Sequence, residues 1–462
     1  MLGLSSQAIR RGAFVAGPLA AVLVGWQIAA SGLGAPAAWC GGVTALCAIW
    51  WVLEPIPIPA TSLLPLAIFP VVGALPAKEV GAAYGNRMIL LLMGGFMLST
   101  AMERSGTHRR LALTMVRLVG GNSSRRLVLG FMIAAAALSM WISNAATTLM
   151  LLPIALAAVE KSSDERIAPV LLIGVAYAAS IGGVGTPVGT PPNLFFMDAY
   201  KEATGREVTF LDWMIRAVPV VLTMVPIAAW WVTRKLPRKI TIDLPEPGPW
   251  RAEEIRTMVV FAITAALWIT RGEPYGGWSE LLGTPDANDA SVALLAVVAM
   301  FLIPNGRGGQ LLTWEAAGAI PWGVLLLFSS GLVIGSAFGA TGLSEALGEQ
   351  LAAAGGLPVV LLTAAICLAV TFMTEVTSNT AVAALLMPIL AALSIELGVE
   401  PRRLMAPAAI SASFAFMLPV ATAPNAIMFG SGRVPLAMMA RMGFALNLIG
   451  VAVVTLLFWM YQ

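Results

Sequence analysis

Two short polar motifs occur twice in an otherwise oily chain, and their residue types suit a small anion and a small hard cation. Ser143-Asn144-Ala145-Ala146 followed by Pro153-Ile154 returns as Ser378-Asn379-Thr380-Ala381 followed by Pro388-Ile389, ten residues from Ser to Pro both times and 235 residues apart. Val188-Gly189-Thr190-Pro191-Pro192-Asn193 returns as Val420-Ala421-Thr422-Ala423-Pro424-Asn425 at an offset of 232. A weaker pair matches Leu90-Leu91 and Gly95 with Leu326-Leu327 and Gly331. Matches in one order at nearly one offset make this a duplicated domain.

Each Ser-Asn pair lies between two apolar stretches, which predicts the tip of a helix-turn-helix hairpin buried in protein, because irregular backbone at membrane depth is tolerated only there or beside a water-filled cavity. Such a tip exposes the first N–H groups of the following helix, the positive end of its dipole, to an anion. It also presents carbonyl and hydroxyl oxygens to a cation. Thr190-Pro191-Pro192-Asn193 and Thr422-Ala423-Pro424-Asn425 interrupt the apolar segments 167–184 and 404–421. Proline lacks an N–H and clashes with the preceding turn, so free carbonyls are expected at both breaks. Gly182, Gly183, Gly185 and Gly189 let the first break pass close to a neighbour or an ion. Two broken helices facing two hairpin tips make a site near the bilayer midplane.

Singly, Ser-Asn is a common N-cap pair and Thr-Pro-Pro a common kink; it is their duplication in register that points to binding. No Asp, Glu, Lys, Arg or His lies in the expected tips or breaks, so none titrates there as a proton relay requires. Neutral oxygen donors favour a sodium-like coupling ion in an uncharged site. Glu375, three residues before Ser378, is the nearest charge and is expected to be paired with an arginine or with backbone for structural reasons, direct ion ligation being the alternative.

The elements that position these motifs follow from composition. Of 462 residues 58% are hydrophobic and 11% charged, against about a quarter charged in soluble domains; the chain reads as an all-α polytopic membrane protein. A net charge of +3 from 27 basic and 24 acidic residues excludes a nucleic-acid binder. Cys40, Cys47 and Cys367 form no CxxC pair, and the single His108 lies among Arg104, Arg109 and Arg110, leaving no material for disulfide, zinc or haem sites. A membrane-embedded hydrolase needs a nucleophile with a base, paired aspartates or a metal cluster; none stands in a duplicated or apolar context, so no enzyme and no cofactor is expected. Two occluding hairpins suit alternating access better than a channel.

Apolar segments fall near 13–32, 37–53, 60–75, 87–103, 127–142, 144–159, 167–184, 213–233, 257–271, 288–303, 320–340, 357–374, 380–397, 404–421 and 436–461. Several are shorter than the roughly 20 residues of a full span, which suggests re-entrant hairpins. Arg10 and Arg11 precede the run Ala13 to Ala30, read as a first transmembrane helix entering from the cytoplasm rather than a signal peptide. Lys and Arg place the loop 234–256 inside, and Glu273, Glu280, Asp286 and Asp289 against Arg271 leave 271–289 outside. The expected organisation is a first helix over 1–36, a first repeat over 37–240 with its tip near 143–144 and its break near 185–193, a cytoplasmic linker over 241–256, and a second repeat over 257–462 with its tip near 378–380 and its break near 421–425. Five spans per half would set the halves in opposite orientation, an inverted repeat.

Met140-Trp141-Ile142-Ser143-Asn144, Thr374-Glu375-Val376-Thr377-Ser378-Asn379-Thr380, Gly189-Thr190-Pro191-Pro192-Asn193 and Leu418-Pro419-Val420-Ala421-Thr422-Ala423-Pro424-Asn425 together resemble the divalent anion/sodium symporters, over nearly the whole chain. The resemblance implies a homodimer in the bacterial inner membrane, with eleven transmembrane helices and two re-entrant hairpins per protomer. It implies a transport domain moving past a dimerising scaffold as an elevator, and sodium-coupled import of C4 dicarboxylates such as succinate, malate and fumarate. An exchanger, or sodium-coupled sulfate or citrate transport, is the alternative. Carried over residue by residue, one sodium ion would be held at Ser139, Ser143, Asn144 and Gly189, and a second at Thr374, Thr377, Asn379 and Ala421. Substrate would meet Ser143, Asn144, Ser378, Asn379 and Thr380, with Thr190, Thr422 and Ala423 nearby. Two positions depart from the family pattern: Ala145 lacks a hydroxyl, and Ala423 stands where proline is usual.

Overall fold

The computed structural model describes residues 6–120, 123–159, 164, 166–236, 246–272, 277–353 and 356–460. Residues 237–239 of the basic loop, 241–245 of the linker and Glu273 lie outside the described residues. Among those described there are 23 helices and no strand beyond an isolated bridge between Pro304 and Gln310. In chain order they are α1 (Ser6–Ala30), α2 (Ala35–Leu53), α3 (Ile58–Thr61), α4 (Leu63–Val72), α5 (Ala77–Tyr84), α6 (Arg87–Ser105), α7 (Thr107–Val119), α8 (Ser124–Ser139), α9 (Asn144–Val159), α10 (Ile167–Gly183), α11 (Pro191–Thr204) and α12 (Phe210–Thr233). Then follow α13 (Ala252–Ile269), α14 (Trp278–Leu281), α15 (Asp289–Leu302), α16 (Trp314–Gly318), α17 (Trp322–Ala340), α18 (Leu343–Ala353), α19 (Val359–Thr374), α20 (Asn379–Glu396), α21 (Arg402–Ala412), α22 (Ala423–Gly430) and α23 (Leu436–Met460).

Among the described residues six helices are long and apolar enough to cross a membrane: Arg11–Ala30 of α1, then α2, α12, α17, α20 and α23. The helix pattern repeats as the motifs do. α6, α8, α9 and α10 begin 235 residues before α17, α19, α20 and α21 respectively. One expected segment is much shorter than its hydropathy suggests: α21 stops at Ala412, and 413–422 is non-helical although it is apolar enough to continue. Side-chain hydrogen bonds described below capture that backbone.

The described chain divides into two compact units. The first comprises Met1–Ile89, Leu194–Glu207 and Pro321–Ala412. Here α1 packs on α2, α17 lies against α2, α3, α4, α5 and α20, and α20 packs on α18, α19 and α21. Gly331 of α17 permits the closest approach, since a Cβ there would sit 2.6 Å from the Phe195 ring and 2.8 Å from Ala384.

The second unit comprises Leu90–Asn193, Val208–Ile320 and Ser413–Gln462. Its centre is α10, whose neighbours are α8, α9, α12 and α22. Small residues let them approach: a Cβ on Gly182 would lie 2.2 Å from the Ala136 carbonyl oxygen. Where water is absent, helices associate through such backbone proximity. The loop between α13 and α15 is pinned at both ends by Arg271, whose Nε donates to Asp289 Oδ1 at 2.6 Å.

α13 begins at Ala252, inside the stretch expected to be linker, because Arg251 and Glu254 close its first turn: the Arg251 N–H donates to Glu254 Oε2 at 2.9 Å. Arg110 of α7 donates to the same carboxylate at 2.9 Å and to the carbonyls of Pro247, Gly248 and Pro249. Burial pushes the Glu254 carboxyl up, but the hydrogen bonds from the Arg251 backbone and side chain and from Arg110 outweigh it and hold the group below the ordinary carboxylate range. A depressed folded-state pKa stabilises above the unfolded value and is lost as pH falls through the folded one. The thermal-stability gap between wild type and Glu254→Gln is therefore expected to be full at neutral pH and to close as pH falls below about 4. Melting curves across that range check it; a gap independent of pH would refute the assignment.

Candidate functional site

The first hairpin tip is the four-residue turn between Ser139, the last residue of α8, and Asn144, the first of α9. Ser143 caps α9: its Oγ accepts from the Ala146 N–H at 3.2 Å. The bland N-cap role of this serine is thus present in the structure. Asn144 turns inward, where its Oδ1 accepts the buried Ser139 hydroxyl at 2.5 Å. Trp141, also in the turn, stacks with Phe210 and Trp268 at centroid distances of 6.0 and 6.4 Å, a flat aromatic support for the tip.

The first break, between α10 and α11, wraps against this tip. Thr186 Oγ1 donates to the Met140 carbonyl. Gly183 faces Asn144 so closely that a Cβ would lie 2.6 Å from Asn144 Oδ1, and one on Gly189 would lie 2.3 Å from the Gly183 oxygen and 3.0 Å from that of Met140. Ser139, Asn144 and Gly189 therefore gather around Gly183. A side chain on Gly183 would occupy the space beside Asn144 Oδ1, and one on Gly189 the space beside the Gly183 and Met140 carbonyls.

The prolines do not build the break in the expected way. Pro191 is the first residue of α11, and Pro424 stands at the N-terminus of α22, positions where a missing N–H leaves no bond unmade. Nor are the carbonyls left free. Asn193 Nδ2 reaches the oxygens of Gly183, Val184 and Thr186 at 3.2, 3.3 and 2.8 Å. Asn425 Nδ2 reaches those of Ala415 and Leu418, each at 3.0 Å. Both asparagines are fully buried, and in both the acceptors lie seven and ten residues upstream.

The following helices add one anchor each. Trp213 of α12 donates its Nε1–H to Val184 O at 2.9 Å, and Asn447 of α23 accepts the Phe416 N–H at 3.3 Å. The two breaks also touch: Ser413 Oγ donates to Thr190 Oγ1 at 3.5 Å, and Thr190 is buried. Thr422 caps α22 by accepting the Asn425 N–H at 3.3 Å; Ala421 is buried and Ala423 is the first helical residue.

The second tip, between α19 and α20, belongs to the first unit. Ser378 caps α20 through the Ala381 N–H, matching Ser143. Asn379 differs from Asn144: its Oδ1 accepts from the N–H and hydroxyl of Thr380 at 2.8 and 3.2 Å. Thr374 Oγ1 donates to Ala412 O, and Thr377 Oγ1 to Met373 O, both at 2.9 Å. α19 ends at Thr374, so Glu375, buried at 3% exposure, is the first residue of the turn itself. It stands three residues before Ser378, and Ser378, Asn379 and Thr380 themselves carry no charge. Helix α19 ends one residue before this carboxylate, where the apolar segment 357–374 also ends.

Chemically the first tip and break offer neutral oxygens converging on a glycine-lined point beside the N-terminus of α9. Among the described residues no group of three or more His, Cys, Asp or Glu could hold a metal ion. Asn193 and Asn425 were not among the sequence-derived site residues. Their signal was present in the paired Pro-Asn register; their acceptors, on unwound backbone, were not legible.

Hairpin tips and broken helices repeated in register, within a chain of long apolar helices, define a membrane carrier of the secondary-transporter class. The chain belongs to the divalent anion/sodium symporter family: residues 14–462 match the family described as the sodium:sulfate symporter transmembrane region. It is 39% identical over 440 residues to the sodium-dependent dicarboxylate transporter SdcS of Staphylococcus saprophyticus, covering 90% of this chain and 84% of that one. SdcS of Staphylococcus aureus is 38% identical over the same length. The solved YdaH transporter of Alcanivorax borkumensis is similar in fold, with a TM-score of 0.62 at 16% identity over 91% of this chain and 98% of that one. The protein is a multi-pass membrane transporter, not an enzyme.

Proposed function

We propose that this chain imports C4 dicarboxylates, such as succinate, malate and fumarate, by sodium symport across a bacterial inner membrane. The observation that carries the reading is the gathering of Ser139, Asn144 and Gly189 around Gly183. Similarity to transporters named for sodium and dicarboxylates supports the choice of ion and cargo. In this reading Ser139, Ser143, Asn144 and Gly189 bind one sodium ion and Thr374, Thr377, Asn379 and Ala421 a second. The substrate carboxylates lie against Ser143 and Asn144 and against Ser378, Asn379 and Thr380, near Thr190, Thr422 and Ala423. Positive helix ends at α9 and α20 complement the dianion. A homodimer with cytoplasmic N-termini, eleven spans and two re-entrant hairpins in an inverted repeat moves the site by an elevator motion.

Uptake of radiolabelled succinate into proteoliposomes, under a sodium or a choline gradient, tests the proposal. Accumulation is expected with sodium only. Sodium-independent uptake would sink the coupling, and uptake only against a preloaded anion would make the protein an exchanger.

Ala145 favours a second cargo, sulfate or citrate, because the first tip lacks the hydroxyl that Thr380 supplies to the second. Ala145→Thr is expected to tighten succinate about fivefold, the equivalent of about 1 kcal/mol for one added hydrogen bond. Competition by sulfate, citrate and succinate in both proteins measures this; unchanged or weaker succinate affinity would dismiss the missing hydroxyl as the determinant.

A further inference from the structure

A groove of about 540 Å³ runs between α8 and α12, within the second unit and separate from the tip oxygens. Its size falls within the roughly 300–1,000 Å³ of small-molecule sites. The walls are Leu129, Ile133 and Ala137 on one side and Leu222, Val225 and Pro226 on the other. Leu222 and Trp230 are exposed along it, on a helix long and apolar enough to span the membrane. The polarity is concentrated at one end. Arg125, in the first turn of α8, lines the groove there and donates to the Arg234 carbonyl at 3.3 Å. Arg126, Arg234 and Lys235 stand at the same end, and among the described residues no carboxylate pairs with any of these four cations.

We propose that this groove seats one acyl chain of an anionic phospholipid, with the lipid phosphate held at Arg125. The charge pattern selects the occupant. Arg234 donates to the Trp231 carbonyl and lies over the Trp231 ring, but most donors of the Arg125 fork remain unused. A neutral apolar ligand has no use for such a guanidinium at the mouth, whereas a phosphate diester matches its planar fork. Basic pockets beside transmembrane helices bind phospholipid headgroups for this reason. Length agrees as well. From Arg125 to Met140 α8 rises about 22 Å at 1.5 Å per residue, more than the about 15 Å depth of one leaflet's hydrocarbon. A chain entering at Arg125 therefore runs its length against apolar side chains and ends near Ala136, with Met140 closing the far end of the groove. On its other side Ala136 is packed against Gly182, and the Met140 carbonyl receives the Thr186 hydroxyl. The lipid tail thus buttresses the first hairpin from behind.

Native mass spectrometry of the delipidated protein, offered phosphatidylglycerol or phosphatidylcholine with identical acyl chains, tests the site. Wild type is expected to retain one phosphatidylglycerol per protomer with at least about fivefold preference, since each basic residue near a membrane surface contributes about that factor. The double variant Arg125→Gln/Arg234→Gln is expected to lose the preference, and Ala137→Phe to lose retention of both lipids. Equal retention of the two lipids by wild type, or a preference that survives the double variant, would overturn the proposal. So would loss of self-association in Ala137→Phe with lipid preference intact, which would make the groove an interface between copies of the chain. Should Ala137→Phe not fold, brominated acyl chains give a second readout. The quenching that Trp230→Phe abolishes is expected to be stronger with brominated phosphatidylglycerol than with brominated phosphatidylcholine, and equality would again overturn the site.

Discussion

Asn193→Leu is expected to destabilise the folded protein by about 1–3 kcal/mol, the cost of leaving the buried Gly183 carbonyl without a donor. Asn193 Nδ2 serves Gly183, Val184 and Thr186; Val184 has a second donor in Trp213 and Thr186 in the Gly189 N–H, so it is Gly183 that depends on Asn193. Leucine matches the volume and supplies no N–H, and buried backbone groups have no water to turn to. Asn425→Leu is expected to have a comparable effect, since the Ala415 carbonyl loses its donor there while Leu418 keeps the Ala421 N–H. Asn193→Gln retains the amide and should recover part of the loss. Thermal unfolding of the purified variants orders them; a leucine variant as stable as wild type would mean that the break is held by other bonds. Transport should fall with the first-site geometry, because Gly183 is both an acceptor of Asn193 and the surface against which Asn144 rests.

Asn144→Ala is expected to abolish sodium-driven uptake with little effect on the proposed dimer. Asn144 Oδ1 accepts the Ser139 hydroxyl at 2.5 Å, and removing it also deletes one oxygen from the proposed cation set. A hydrogen bond or ligand bond to a charged group contributes about 1.5–3 kcal/mol, so apparent sodium affinity should fall about 10- to 150-fold. Asn379→Ala should reduce uptake by a different route. Its Oδ1 is engaged by the N–H and hydroxyl of Thr380, so its loss frees the Thr380 hydroxyl as well as removing an oxygen. Measuring initial rates against sodium at saturating succinate separates the effects. Unaltered sodium dependence in both variants would remove the site assignment.

The contrast between these asparagines shows what was legible beforehand. Asn144 and Asn379 hold the same place in a repeated motif, and both begin a helix capped by the preceding serine. That equivalence follows from local rules, because an N-cap needs only a hydroxyl three residues before a free N–H. Which partner each side chain takes is a different matter: Ser139 for Asn144, Thr380 for Asn379. Helix boundaries divide in the same way. The onset of α9 at Asn144 and of α20 at Asn379 agrees with the hydropathy to within a residue, whereas α21 ends at Ala412 within an apolar run. Hydropathy measures affinity for lipid and is silent on whether backbone hydrogen bonds close within a helix or on a side chain from elsewhere.

By itself the sequence determined the membrane setting, the duplication, the two tips, the two interruptions and the kinship of the chain, since each is a matter of composition, period or spacing. Only the tertiary structure decided that Asn193 and Asn425 clasp the unwound carbonyls and that Gly183 and Gly189 bring Ser139 and Asn144 to one point. The reason is physical: buried carbonyls must find donors, and residues distant along the chain supply them once helices are packed closely enough to meet.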